Sequence, residues 1–312
     1  DAKSLDQYIA EHPFSPQEAT LRVTANLFDV ASLQEQYNKI KANNLQSIGT
    51  AGDLYYGQDN KIQFKINGDL RPIIRYPHRK DDDKTGAIVM YESPYKNQNQ
   101  QVPHNLYVLC HDPYGQNQSA DSMSLGSAYV IKRVNNISTP DDIIVASYVG
   151  RPHTQDAYNK NLFMLADYYN CKIGFENDRG EVIAYAKRHR KMHRLQEEFE
   201  MLDKRELRSK TVKRQYGMHM TEARKRQGEI YIRDWLNSVR SKNEEGEQVL
   251  NLHKIYDLAL LQELIKFNHK GNFDRVMSLM IGMYHTRELY NAEVKEILED
   301  NSANSWFDKN YY

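Results

Sequence analysis

The sequence predicts an α/β fold, a mixed central sheet flanked by helices with a helical segment and a β-rich stretch ahead of it. Three observations predict it. From Asn105 onward, apolar runs of strand length alternate with segments whose apolar residues recur at helical spacing. Between residues 49 and 103, Gly52, Gly57, Gly68 and Gly86 punctuate short alternating runs such as Lys61 to Ile66, the pattern of hairpins with turns. Leu106 to Cys110 is an apolar run that leads straight into Asp112; a polar loop follows, then a second apolar run, Gly126 to Ile131. A buried strand that delivers a carboxylate at its end and returns as a second strand is a way to present a metal-binding acid.

The chain order bears this out element by element. Residues 1–48 read as helical and linker-like. Ser15 suits a helix cap, Pro16 the first helical position, and Glu18 completes capping-box spacing. A second helix is expected from Ala31 to Ala42, ended by Asn43-Asn44. Lys80 to Lys84 (KDDDK) is a charged turn. Strands are expected over 105–111, 124–134, 143–149 and 171–175. Leu162, Leu165, Ala166 and Tyr169 place a helix over Ala157–Tyr169. Further helices are expected from about Arg179 to His193 and from about Val212 to Gln227, with a short strand at Glu229–Ile232. Ser241 to Gly246 is an exposed loop. Two closing helices, Tyr256–Phe267 and Phe273–Leu289, precede a tail over 301–312.

Composition narrows the class. With 312 residues, 40% apolar and 27% charged, the chain matches a globular protein with one large domain and an extension. It holds no apolar run of about 18 residues, the length a membrane helix needs. No signal-peptide pattern opens the chain, and a start at Asp1 fits an excised fragment. Cys110 and Cys171, the only cysteines, both lie in apolar runs and are expected to be buried free thiols of a reducing compartment. They exclude a four-cysteine zinc site. The 42 basic and 42 acidic residues cancel, so any nucleic-acid contact must come from local patches.

Three acids stand out by setting. Asp112 ends the first core strand. Glu176 ends the apolar run Cys171 to Phe175, and Asp274 opens a helix whose Val276, Met277, Met280, Ile281 and Tyr284 form an apolar face. Singly, each has another reading: a turn residue, a helix cap, and a first-turn acid favoured by the helix dipole. Together they belong at one edge of a sheet, where open α/β folds place their ligands.

The order of a hairpin, a third strand, a helix, a strand ending in Glu and a late helix starting near Asp resembles the ribonuclease H fold. Four segments narrow the resemblance: Glu11–Thr20 (EHPFSPQEAT), Leu106–Val130 with Asp121-Ser122, Asn161–Gly180 (NLFMLADYYNCKIGFENDRG), and Leu260–Met283, where LLQELIKF precedes NFDRVMSLMIGM. They are similar to the C-terminal nuclease part of the large terminase subunit of tailed bacteriophages. The resemblance implies 1–48 as a linker from an ATPase domain, 49–103 as a β-rich extension, 104–300 as a ribonuclease H-like nuclease and 301–312 as a C-terminal tail.

It further implies an endonuclease that cuts concatemeric viral DNA during genome packaging, using two divalent ions, Mg²⁺ or Mn²⁺. Asp112, Glu176 and Asp274 would be both catalytic residues and metal ligands, with Asp112 bridging. Asp121 is either a fourth ligand or a turn residue. Double-stranded DNA, a portal protein and a small terminase subunit are the implied partners, in the host cell cytoplasm. Where many relatives carry two adjacent acids at the last site, Phe273 stands first here and Asp274 alone remains. His269 either orients a water or phosphate or is an exposed loop residue. His111 neighbours Asp112 but should face the other side of the strand.

The basic residues Lys187, Arg188, Arg190 and Lys191, with Lys210, Lys213 and Arg214, read either as a solvated helix face or as a phosphate-contacting flank. No G-x-x-x-x-G-K-[ST] motif is present, so no P-loop ATPase activity is expected. A junction resolvase or transposase type of nuclease, or an inactive scaffold that docks on portal or small terminase, are the alternatives.

Overall fold

The computed structural model describes residues 26–115, 124–133, 142–178, 181–199, 216–268 and 271–310, the last stretch from 294 as backbone only. The strands are β1 (Thr50–Tyr56), β2 (Ile62–Ile66), β3 (Ala87–Met90), β4 (Tyr107–Asp112), β5 (Gly126–Lys132), β6 (Ile143–Gly150), β7 (Ile173–Phe175), β8 (Val239–Lys242) and β9 (Gln248–Leu250). The helices are α1 (Val30–Ala42), α2 (Gln155–Tyr168), α3 (Val182–Arg188), α4 (Glu222–Leu236), α5 (Leu258–Lys266) and α6 (Asp274–Asn310). The helix start expected over residues 1–25, with its Ser15 cap, lies outside the described residues, as do Asp121, Lys210, Lys213, Arg214 and His269.

Seven strands form one sheet in the order β2-β1-β3-β6-β5-β4-β7. β4, β5 and β6 are antiparallel neighbours. The chain then crosses through α2 and returns as β7, parallel to β4. Hairpin, third strand, crossover helix and parallel fourth strand give the ribonuclease H-like arrangement that the sequence predicts. The β-rich stretch joins the same sheet, because β3 pairs with β6 and β1 with both β2 and β3. At the opposite edge, β7 is covered by single bridges from Ile173 to Leu195 and from Glu176 to Met218.

Alternation along β4 and β5 sorts the two faces. Val108, Cys110, Tyr129 and Ile131 face α6, where Val276, Leu279, Met280 and Ile281 are buried against them. Tyr107, Leu109, Ala128 and Val130 face α2 and its Leu162, Phe163, Leu165 and Ala166. Each such aliphatic side chain contributes about 1.5–3 kcal/mol of burial. Gly282 lets α6 approach β4, since a Cβ there would lie 2.8 Å from Cys110 Sγ. One turn earlier, Ser278 Oγ donates to the Cys110 carbonyl at 3.2 Å. Both cysteines are buried free thiols, as expected.

Four elements differ from the sequence expectation. The expected strand at Glu229–Ile232 lies inside α4, which starts near residue 222 rather than 212. Ile230 and Ile232 carry β propensity, but Thr221 caps the helix at Arg224 N, and Ile232, Trp235 and Leu236 share its buried face. The helix after Glu176 stops at Arg188; His189 follows as its cap, and Arg190 takes a positive φ of 55°. The expected loop at Ser241–Gly246 is a hairpin whose turn closes with Asn243 N accepted by Glu247 O. The α6 backbone continues past Leu289 to Asn310, taking in most of 301–312.

The N-terminus of α6 rests on a buried ion network. Glu263 of α5 accepts from the backbone N–H of Arg275 at 2.9 Å and of Val276 at 3.2 Å. The same carboxylate accepts from Arg275 Nη1 at 2.9 Å, and Nη2 donates to the Ile73 carbonyl at 2.7 Å. Asp257 Oδ2 lies 3.7 Å from Arg275 Nε and accepts from the Tyr129 hydroxyl at 2.7 Å. Burial works against the Arg275 charge, but Asp257 and Glu263 outweigh it and hold its pKa above the ordinary value. At Glu263 burial pushes the pKa up, and the Arg275 guanidinium beside it pulls the pKa down. Three N–H donors converge on that carboxyl, and the ionised form is the one that satisfies them.

Removing one partner strands the other charge. Arg275→Met is expected to cost about 3–5 kcal/mol of stability in denaturant unfolding, and the pair Arg275→Met with Glu263→Gln distinctly less. A single-variant loss below about 1 kcal/mol would mean that the network carries none of this weight.

Candidate metal centre

The parallel ladder between β4 and β7 decides where the first two acids stand. Leu109, Cys110 and His111 pair with Ile173, Gly174 and Phe175, and Glu176 N donates to the His111 carbonyl at 3.3 Å. One residue further along both strands, Asp112 and Glu176 are neighbours, on strands spaced about 4.8 Å apart. Both belong to the α6 face, because Cys110 and Gly174, two residues earlier on each strand, meet Gly282 and His285 of α6. Asp112 is 8% exposed.

Asp274 reaches the same edge from α6. Its carboxylate accepts from Leu125 N at 2.8 Å, Ser124 Oγ at 3.2 Å and Asn272 Nδ2 at 3.1 Å. Ser124 and Leu125 lead into β5, whose Ser127 stands directly across from Asp112. The acid at the helix start is therefore tied to the strand that pairs with Asp112. Burial raises the Asp274 pKa to about 6, against the lowering effect of the Leu125 N–H, Arg275, Ser124 and Asn272. The buried Tyr158 senses both carboxylates. Burial raises its pKa most, then Tyr148 and Tyr114, then Asp112 and Asp274.

His111 faces the other side, as predicted. It stacks on Tyr158 at 5.2 Å, and its Nδ1–H donates to the Ser127 carbonyl at 2.9 Å. Burial lowers its pKa to about 4, so it is neutral. It is a core residue.

The sequence reading missed two residues. Among the described residues, the group of metal-type side chains whose ligand atoms all lie within 4.8 Å of one another is Glu176, Asp178 and His219. Asp112 and Asp274 share the edge and the face but are not part of that close group. His219 Nδ1 and Asp178 Oδ2 are in hydrogen-bond contact. The segment that brings His219 there runs beside the end of β7. Met218 N donates to Phe175 O at 2.9 Å, and Asn177 N to Met218 O at 2.8 Å. Gly217 has a φ of 70°, and a Cβ there would lie 2.8 Å from the Phe175 carbonyl. Asp178 was readable as the second acid of GFENDRG; His219 carried no signal, because its approach depends on a bridge between distant segments.

The basic stretch divides. Arg188 Nη2 pairs with Asp156 at 2.5 Å, and Lys191 pairs with Asp167, which also accepts from Arg194 Nε at 2.7 Å. These contacts fasten α3 and the turn after it to α2. Lys187 and Arg190 are exposed, as is the Arg188–Asp156 pair.

No protein-family model and no curated protein matches the sequence. Among solved structures the chain is similar to the large terminase nuclease of the thermophilic phage G20c. The crystal structure with bound zinc is 13% identical at a TM-score of 0.39, covering 68% of this chain and 92% of that one. The magnesium-bound structure is 13% identical at 0.34, covering 69% and 93%. The cobalt-bound structure is 13% identical at 0.33, with the same coverage.

Proposed function

We propose that the chain is a metal-dependent nuclease that hydrolyses DNA phosphodiester bonds at the edge shared by Asp112, Glu176 and Asp274. The observation that supports it is the side-by-side placement of Asp112 and Glu176 on the face where α6 delivers Asp274. In this reading it is an endonuclease that cuts concatemeric viral DNA during packaging in the host cell cytoplasm, with portal protein and small terminase subunit as partners.

The residues present fit divalent ions. Carboxylates at a strand edge are hard oxygen donors of the kind Mg²⁺ and Mn²⁺ take. Ser127 Oγ, on the face of Asp112 and fully buried, has no hydrogen-bond partner among the described residues. A buried hydroxyl in that condition is satisfied when a coordinated water stands beside it. Asp112, Glu176 and Asp274 would hold the ions. Bound there, divalent ions would supply a nucleophilic water and stabilise the leaving oxygen.

The chain's own residues supply the rest. Asp274 is pre-oriented by three donors, so little ordering remains when it takes up a ligand role. Asp112 rises from a strand buried along its whole length, and its position follows the backbone. Lys187 and Arg190 are exposed cations that follow β7 in the chain, suited to phosphate contacts that position DNA without reading its bases.

Three outcomes are expected. The chain with Mn²⁺ or Mg²⁺ nicks supercoiled plasmid, and Asp112→Ala lowers that rate by at least about 100-fold, the upper end of what loss of a ligand's support costs; robust cleavage by the variant in a clean preparation would sink the assignment. Neutralising Lys187 and Arg190 flattens the slope of log DNA affinity against log salt by about 1.8, and neutralising Arg188 and Lys191 instead lowers thermal stability. A proton held on Asp274 up to about pH 6 competes with the cation, so Mn²⁺ affinity measured by calorimetry should weaken between about pH 7 and about pH 5. Asp274→Asn should show a shallower dependence, and equal dependence in both proteins would remove Asp274 from the ligand set.

A further inference from the structure

We propose that Glu176, Asp178 and His219 form a cation position of their own, one that takes Mn²⁺ or Zn²⁺ in preference to Mg²⁺. Resting on the nuclease reading, it is the second of the two ion positions, beside the one at Asp112 and Asp274.

The donor set carries the argument. Two carboxylates and one imidazole place their ligand atoms within 4.8 Å of one another. Metal bonds of about 2.0–2.2 Å set neighbouring donors about 3–3.5 Å apart, a spacing that side-chain rotations of these three residues can reach. Imidazole suits the later first-row dications, while Mg²⁺ favours oxygen and water alone. Glu176 and His219 are half-buried and Asp178 is exposed. That leaves an open side, as catalytic sites require and closed structural sites do not.

Charge points the same way. Glu176 and Asp178 bring two negative charges to one spot. A dication is attracted to such a spot and takes the imidazole in its neutral form, the one that ligates.

The scaffold holds the histidine in place. Asn177 Nδ2 donates to the Tyr216 carbonyl at 2.6 Å, on top of the ladder from Phe175 to Met218. Arg224 Nη1 donates to the His219 carbonyl at 2.7 Å, and Thr221 N donates to the same carbonyl at 3.2 Å. His219 thus sits between a strand edge and a capped helix start, which limits its freedom before any ion arrives. A separate observation marks the neighbouring position: the buried, unpartnered Ser127 Oγ stands across from Asp112, and Asp112 adjoins Glu176. Two adjacent cation positions sharing one strand edge account for both features.

The test uses the full chain loaded with Mn²⁺ and read by electron spin-echo modulation, with calorimetry beside it. Nitrogen modulation from a coordinated imidazole is expected in the wild type and absent in His219→Gln. His219→Gln and Asp178→Asn should each weaken one Mn²⁺ position by at least about tenfold. His219→Asp should regain affinity without the nitrogen signal, which separates ligation from folding. Zn²⁺ should displace the nitrogen-coupled Mn²⁺, and a large excess of Mg²⁺ should not. A wild-type echo without nitrogen, or wild-type Mn²⁺ affinity in His219→Gln, would overturn the site and leave His219 as a simple hydrogen-bond partner of Asp178. The two readings fail separately. Plasmid cleavage lost in Asp112→Ala with a nitrogen-free echo keeps the nuclease and discards this site. Nitrogen-coupled Mn²⁺ without any cleavage keeps the cation site and discards its place in a nuclease.

Discussion

A buried guanidinium must find its partners inside the fold, and four groups of the chain gather around Arg275. Glu263 and Asp257 come from α5 and its cap, Ile73 from the segment between β2 and β3, and Tyr129 enters through Asp257 from the centre of the sheet. The residue before Arg275 is Asp274. Any shift of α6 that moved this acid would unpair a fully buried charge, which is far costlier than breaking a surface pair. The position of the third carboxylate is therefore set by electrostatics remote from it, and Glu263, which caps the helix through two backbone N–H groups, is what joins the two.

The same economy governs the first two acids. Asp112 and Glu176 need no side-chain clamp to stand together, because the parallel register of β4 and β7 places them. That register follows from burial: a one-residue slip would turn Cys110 and Gly174 away from α6 and send polar groups into the core. Fold and site are one constraint at this edge.

The sequence showed what is local. Apolar runs marked β4 to β7, helical spacing marked α2, α5 and α6, and Asp112, Glu176 and Asp274 stood out as acids at the ends of buried elements. Where propensity and packing disagreed, packing won. Ile230 and Ile232 look like a strand, yet Thr221 and the contact of Gly228 with Met280 make that stretch a helix. The fate of the basic stretch was equally hidden. Nothing in KRHRKMHR says that Asp156 and Asp167, a helix earlier, hold Arg188 and Lys191. His219 was least legible of all, since its place depends on a bridge between Glu176 and Met218 and on a glycine with positive φ.

That bridge has a second effect. A sheet edge with free N–H and C=O groups is a template for pairing with another chain. At β7 the groups are spoken for: Gln196 N donates to Ile173 O, and Met218 N to Phe175 O. β2 is the strand at the other end of the sheet, and it carries exposed Lys65 with exposed Lys61 just ahead of it. Lysines on an edge discourage such pairing. Strand addition from a neighbouring molecule is thus steered away from the acidic edge, and a crowded solution of this protein would be held apart there by backbone already satisfied and at β2 by charge alone, which salt screens.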